Sequence, residues 1–201
     1  NGEIWIGTWN AGIIVIRTKE NFYDLIKASE SEGGSFNTDI ISNIKEEEGL
    51  ASNNVLSIYE DKDNNIWIGS LSKGITRYIP ASNLERKQNA ANGTYKIFSI
   101  KKGLFSYAID DILQDREGNY WIGTEVGLNQ YRSDRFQIYD ESDGLANNIV
   151  WSVLKDSKGN LWFGTIGGLV KYDPKEDRIN MIEPRTHITN LRLFGKETDF
   201  S

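Results

Sequence analysis

The chain has 201 residues, with 23 Lys plus Arg against 29 Asp plus Glu and a net charge of −6. That acidic balance, with no basic cluster, argues against a general nucleic-acid or membrane-surface binder. There is no cysteine, which excludes disulfides and thiolate metal sites, and no apolar stretch approaches bilayer-spanning length.

Read in chain order, one unit recurs. The chain opens on Asn1-Gly2-Glu3-Ile4-Trp5, in the middle of a motif, so the expectation is a fragment with any leader lost upstream. Ile4-Trp5-Ile6-Gly7-Thr8 and Gly12-Ile13 come first. A polar insert over residues 18–35 follows, in which 21–31 could form a short helix. Gly49-Leu50 then leads to a predicted strand, Val55-Leu56-Ser57-Ile58-Tyr59, and to a turn over residues 61–65. Ile66-Trp67-Ile68-Gly69 is the second predicted strand of that unit, Ile75-Thr76-Arg77-Tyr78 the third and, after a second insert at 80–92, Tyr95-Lys96-Ile97-Phe98 the fourth. A third copy runs through Gly103-Leu104, Tyr120-Trp121-Ile122-Gly123-Thr124, Gly127-Leu128 and Tyr131. The fourth is nearly free of insertions, with strands predicted at 150–154, 161–164, 169–172 and 179–182.

Successive motif tryptophans lie 62, 54 and 41 residues apart. A period of about 40 to 45 residues with short strands is that of a four-stranded propeller blade. The fold class is therefore all-β: a β-propeller segment of four blades at approximately 1–48, 49–102, 103–143 and 144–184. The first blade lacks its innermost strand, and the whole reads as part of a larger propeller. Residues 185–201 form a tail. Its 188–194 segment could close a ring, or two chains could complete one together.

A Trp at one fixed place in every unit is expected to pack between neighbouring sheets. The Asp-x-x-(Gly/Asn)-Asn at 61–65, 115–119 and 156–160 is expected to staple a turn. Asp61-x-Asp63-x-Asn65 does echo the first ligands of a calcium loop. It lacks the following Gly, however, and Glu117 and Lys158 stand at the middle position of its sister turns.

The run Gly-Leu-x-(Ser/Asn)-Asn-x-Val-x-Ser, then Asp-x-x-(Gly/Asn)-Asn-Ile-Trp-Ile-Gly-(Thr/Ser) and Gly-Ile-x-x-Tyr, resembles the two-component regulator propeller repeat. The likeness spans 49–78 and 144–172, and the middle copy departs from it where Tyr107 and Asp111 replace the usual Asn and Ser. The stretch from Pro184 to Phe194 looks like the start of the Ig-like domain that follows the last propeller in this family. The resemblance implies the periplasmic sensory region of a bacterial hybrid receptor anchored in the inner membrane. It further implies a histidine kinase outside this chain and, in many cases, response to an oligosaccharide.

Ligands of propellers usually use the face that carries the loops between blades and the loops between second and third strands. Residues that differ between copies there are the candidates for recognition. Between blades these are Asn53, Asn54, Phe105, Tyr107, Asn147 and Asn148, with Asn53 and Asn148 more readily explained as turn caps. The hairpin positions are Trp9, Asn10, Ser72, Lys73, Glu125 and Ile166. On the innermost strand the variable residue is Leu56, Asp110 or Trp151, and Trp151 could equally fill core. The ligand-binding set is thus Trp9, Asn10, Lys73, Tyr107, Asp110, Glu125, Asn147 and Trp151, led by Trp9, Tyr107 and Glu125. Aromatic, amide and charged groups together suit the apolar face and hydroxyls of a sugar.

No catalytic residue, metal or cofactor is expected. The arginines are scattered, and the single His187 lies in the tail. Only Asp110 and Glu125 could approach the paired carboxylates of a glycosidase. Asp110 with Asp111 reads as a solvated or hydrogen-bonded pair. The expected partners are an oligosaccharide and a second copy of the chain, with no nucleic acid. The main alternative is a protein–protein scaffold or dimerisation propeller that uses the inserts.

Overall fold

The computed structural model describes residues 3–18, 38–81, 93–174, 192–193 and 196–197. The expected helix at 21–31, the fourth strand at 179–182 and most of the tail lie outside these residues. The described chain forms four antiparallel meanders and one small hairpin. The first meander is β1 (Glu3–Gly7), β2 (Ile13–Thr18) and β3 (Thr38–Ile44). The second is β4 (Val55–Glu60), β5 (Ile66–Ser70), β6 (Ile75–Ile79) and β7 (Thr94–Phe98). The third is β8 (Asp111–Gln114), β9 (Tyr120–Thr124), β10 (Gly127–Arg132) and β11 (Arg135–Tyr139). The fourth is β12 (Val150–Lys155), β13 (Leu161–Thr165) and β14 (Gly168–Tyr172), while β15 (Arg192–Leu193) pairs with β16 (Lys196–Glu197).

Each recurring residue has a local task. Asp61 Oδ2 accepts the Trp67 indole N–H at 2.8 Å, and Asp61 Oδ1 accepts the Asn65 backbone N–H at 2.9 Å. Asp115 does the same for Trp121 and Asn119, and Asp156 for Trp162 and Asn160. Asn64, Gly118 and Gly159 occupy the one position of these turns with positive φ, at 59°, 91° and 94°. This is the Asn/Gly alternation of the motif, since few other residues accept that conformation cheaply. With its oxygens taken up by Trp67, Asn65, Asp63 and Tyr120, the Asp61 carboxylate serves as a turn staple rather than an open ligand.

The blades pack by a rule that also recurs. Trp5 meets Tyr78 of the second blade with ring centroids 5.3 Å apart; Trp67 meets Tyr131 of the third at 6.0 Å, and Trp121 meets Tyr172 of the fourth at 5.4 Å. The glycine two residues after each of these tryptophans leaves a slot for the start of the next innermost strand. A Cβ on Gly7 would lie 2.6 Å from Val55 Cγ1, one on Gly69 2.7 Å from Ile109 Cγ2, and one on Gly123 2.6 Å from the Val150 carbonyl. The core accordingly lies between blades, with Trp67, Ile75, Phe98, Ile109 and Tyr120 in one cluster and Trp121, Val150, Leu161 and Phe163 in the next.

Trp5 places β1 in the position of β5, β9 and β13, the second strands. Within the described residues the first blade therefore has no innermost strand, as its motif predicts.

Candidate ligand-binding face

One end of the blades carries both the loops between blades and the hairpins between second and third strands. Each described between-blade loop contains a short 3-10 turn, Glu46–Glu48, Ile100–Lys102 or Glu141–Asp143, followed by a glycine with positive φ, Gly49, Gly103 or Gly144. The leucine after that glycine drops into the core as Leu50, Leu104 or Leu145. The side chain of Asn53 accepts the Glu46 N–H at 2.9 Å, and that of Asn148 accepts the Glu141 N–H at 2.9 Å. These two asparagines therefore cap turns. The loops are stitched to the preceding hairpins by Gly12 N–H to the Asn53 carbonyl, Gly74 N–H to the Tyr107 carbonyl and Ile166 N–H to the Ile149 carbonyl.

On this scaffold the predicted residues divide into two groups. Trp9 is 62% exposed, Tyr107 54% and Trp151 57%, so Trp151 does not fill core here. Glu125 is exposed at the β9–β10 hairpin. The second group is occupied in holding the face together. Asn10 has φ of 72° and donates its N–H to Asn54 Oδ1 at 2.7 Å. Lys73, with φ of 75°, forms an ion pair with Glu46. The hydrogen bond from Lys73 is the main reason the Glu46 carboxyl sits below its ordinary value. Asn147 accepts the Ile149 N–H at 3.0 Å and donates to Glu141 Oε1 at 3.1 Å.

Asp110 and Asp111 behave differently from each other. Asp111 accepts the Ile112 N–H at 2.9 Å and, across the blade boundary, the Val153 N–H at 2.9 Å. Burial raises its carboxyl, against those two bonds. Asp110 donates its backbone N–H to the Gly123 carbonyl at 3.0 Å, but its Oδ2 is buried without a hydrogen-bond partner. Burial first, then the negative charges of Glu125 and Asp111, pushes the Asp110 carboxyl up to about 6. Asp111 is thus hydrogen-bonded across the blade boundary, whereas Asp110 has one carboxyl oxygen buried without a hydrogen-bond partner. Two exposed apolar hairpin residues, Leu71 and Val126, were not among the candidates. Their signal in the sequence is an apolar residue at the tip of a turn whose other residues are polar.

The two component regulator propeller family matches three segments of the chain, residues 49–72, 103–126 and 144–167. The middle segment is included despite its departures at Tyr107 and Asp111. Among solved structures, the chain resembles the extracellular domain of a hybrid two component system from B. thetaiotaomicron, at 27% identity and a TM-score of 0.57, covering 87% of this chain and 26% of that one. For the extracellular domain of a second such system from B. thetaiotaomicron the identity is 17% and the TM-score 0.44, covering 87% of this chain and 28% of that one. Over 53 residues, 26% of this chain and 4% of the relative, it is 38% identical to histidine kinase P4 of Formosa agariphila. The chain thus spans about a quarter of these solved domains and a small fraction of the kinase. Among the described residues no helix is long and apolar enough to cross a membrane. The recurring motif, the antiparallel meanders and the family match identify residues 49–72, 103–126 and 144–167 as two component regulator propeller repeats.

Proposed function

We propose that the chain is part of the ligand-sensing propeller of a hybrid two-component receptor, lying in the periplasm and recognising an oligosaccharide. The signal would pass to a histidine kinase carried elsewhere in the parent polypeptide, and this segment performs no catalytic step. The observation that carries the proposal is the loop-bearing end of the blades, where Trp9, Tyr107 and Trp151 stand exposed. Exposed aromatic rings offer stacking surfaces to sugar rings. Similarity to the extracellular domain of a hybrid two component system supports the receptor context.

Calorimetric titration against a panel of oligosaccharides tests the proposal, with Trp9→Ala, Tyr107→Ala and Glu125→Gln alongside. Saturable binding, weakened about tenfold or more by loss of an aromatic, is the expected outcome. Absence of binding across a broad panel would move the assignment to a scaffold. That second reading has its own support in Leu154 and Leu169, which lie exposed on the fourth blade.

A further inference from the structure

The innermost strands share an irregularity. In β4 the register passes from Val55 opposite Ser70 to Ser57 opposite Gly69, and in β12 from Val150 opposite Thr165 to Ser152 opposite Gly164. Leu56 and Trp151 are therefore extra residues, bulged from the ladder. The third blade has Asp110 at the same place, its N–H bonded to the Gly123 carbonyl while the ladder pairs Asp111 with that same glycine.

The residues on either side of each bulge are committed to packing. Val55, Ile109 and Val150 are buried against Gly7, Gly69 and Gly123 of the preceding blade. One position beyond the bulge, Ser57 Oγ donates to the Ile109 carbonyl at 3.4 Å, and Asp111 Oδ2 accepts the Val153 N–H at 2.9 Å. These ties hold the three innermost strands side by side, so the bulges fall on neighbouring blades at the loop-bearing end. A bulge re-aims one side chain without moving the ladder around it. At that freed position the chain places an aliphatic, an acidic and an aromatic residue, where the flanking positions stay nearly constant.

Resting on the oligosaccharide reading above, we propose that the bulged residues Leu56, Asp110 and Trp151 set the specificity of the site, for a neutral or amino sugar over a carboxylated or sulfated one. Trp151, more than half exposed, supplies a ring for the apolar face of a sugar. Leu56, half-buried, adds an apolar wall. Asp110, half-buried at the middle bulge, adds an acidic group that favours a hydroxyl donor or an ammonium over an anion. An anionic sugar would bring a further negative charge to a group already disfavoured by Glu125 and Asp111.

The test is calorimetric titration of the chain with matched neutral, amino, uronic-acid and sulfated oligosaccharides, using wild type, Trp151→Ala, Asp110→Asn and Asp110→Lys. A thermal melt of each variant and of Val150→Ala accompanies it. The expected result is binding of neutral or amino members, weakened about tenfold by Trp151→Ala and shifted toward acidic members by Asp110→Lys. Trp151→Ala should melt close to wild type, while Val150→Ala melts lower by several degrees. Binding unchanged in the Trp151 and Asp110 variants, or a wild-type preference for acidic sugars, overturns the specificity assignment and leaves the sensor standing. Binding of no oligosaccharide overturns both.

Discussion

Asp61 carries more of the structure than its turn position suggests. Its carboxylate accepts hydrogen bonds from Trp67, Asn65 and, across the blade boundary, the Tyr120 hydroxyl at 2.8 Å. Arg77 lies over the Trp67 ring, its guanidinium carbon 5.2 Å from the ring centroid, and reaches within 4.0 Å of the same carboxylate. Asp61→Ala removes the acceptor of buried donors on Trp67, Asn65 and Tyr120, so a loss of about 2–4 kcal/mol in denaturant unfolding is expected. Burial raises the Asp61 carboxyl, but the bonds from Trp67, Asn65 and Tyr120 outweigh it and hold the group below its ordinary value of 3.8. Its stabilising contribution is therefore present above that value and lost as pH falls below it. Asp110 has the opposite sign. Its carboxyl, pushed up to about 6 from 3.8, keeps its proton in the folded chain where the unfolded chain has released it. Stability therefore falls as pH rises through that window. Thermal melts should show Asp110→Asn more stable than wild type above pH 6 and equal to it near pH 3.

The elements are held by an alternation of large and absent side chains. Tryptophan on one second strand reaches the tyrosine on the next third strand, and the glycine beside it makes room for the next innermost strand. A Cβ on Gly69 would lie 2.2 Å from Ser57 Oγ and 2.8 Å from the Ile109 carbonyl, and backbone there cannot yield. On Gly164 the sole close contact is Ser152 Oγ at 2.4 Å, the end of a side chain that can rotate away. Gly69→Ala should cost about 1–3 kcal/mol and Gly164→Ala clearly less, compared by chemical denaturation. The strands, turns and packing tryptophans were legible in the motif because each task is local or repeated. The bulges were not, since they depend on which residue faces which across two strands.

Across the whole molecule, the fourth blade ends the regular packing of the described residues. Leu169 is 66% exposed, whereas its counterparts Ile13, Ile75 and Leu128 are buried to 1% exposure or less. Leu154 is 63% exposed, and its counterpart Leu113 is buried. The positions that are buried between earlier blades thus lie exposed here, and exposed apolar faces tend to associate. Sedimentation of the chain should show concentration-dependent association that Leu154→Glu with Leu169→Glu abolishes. Persistence of association in that double variant would assign it to other surfaces, such as the inserts.

Repetition is why one sequence reveals so much of this protein. Four copies of a motif separate residues that must recur, such as Trp67, Asp61 and Gly69, from those free to differ, and all-β blades follow from the period. The exposure of Trp9 and Tyr107 was legible for the same reason. Other outcomes turned on contacts between residues far apart in the chain. Lys73 was taken up by Glu46, Asn10 by Asn54, and Asp111 by Val153, while Asp110 Oδ2 was left without a hydrogen bond. A side chain's composition states which bonds it can make; only its neighbours in space determine whether those bonds are already made.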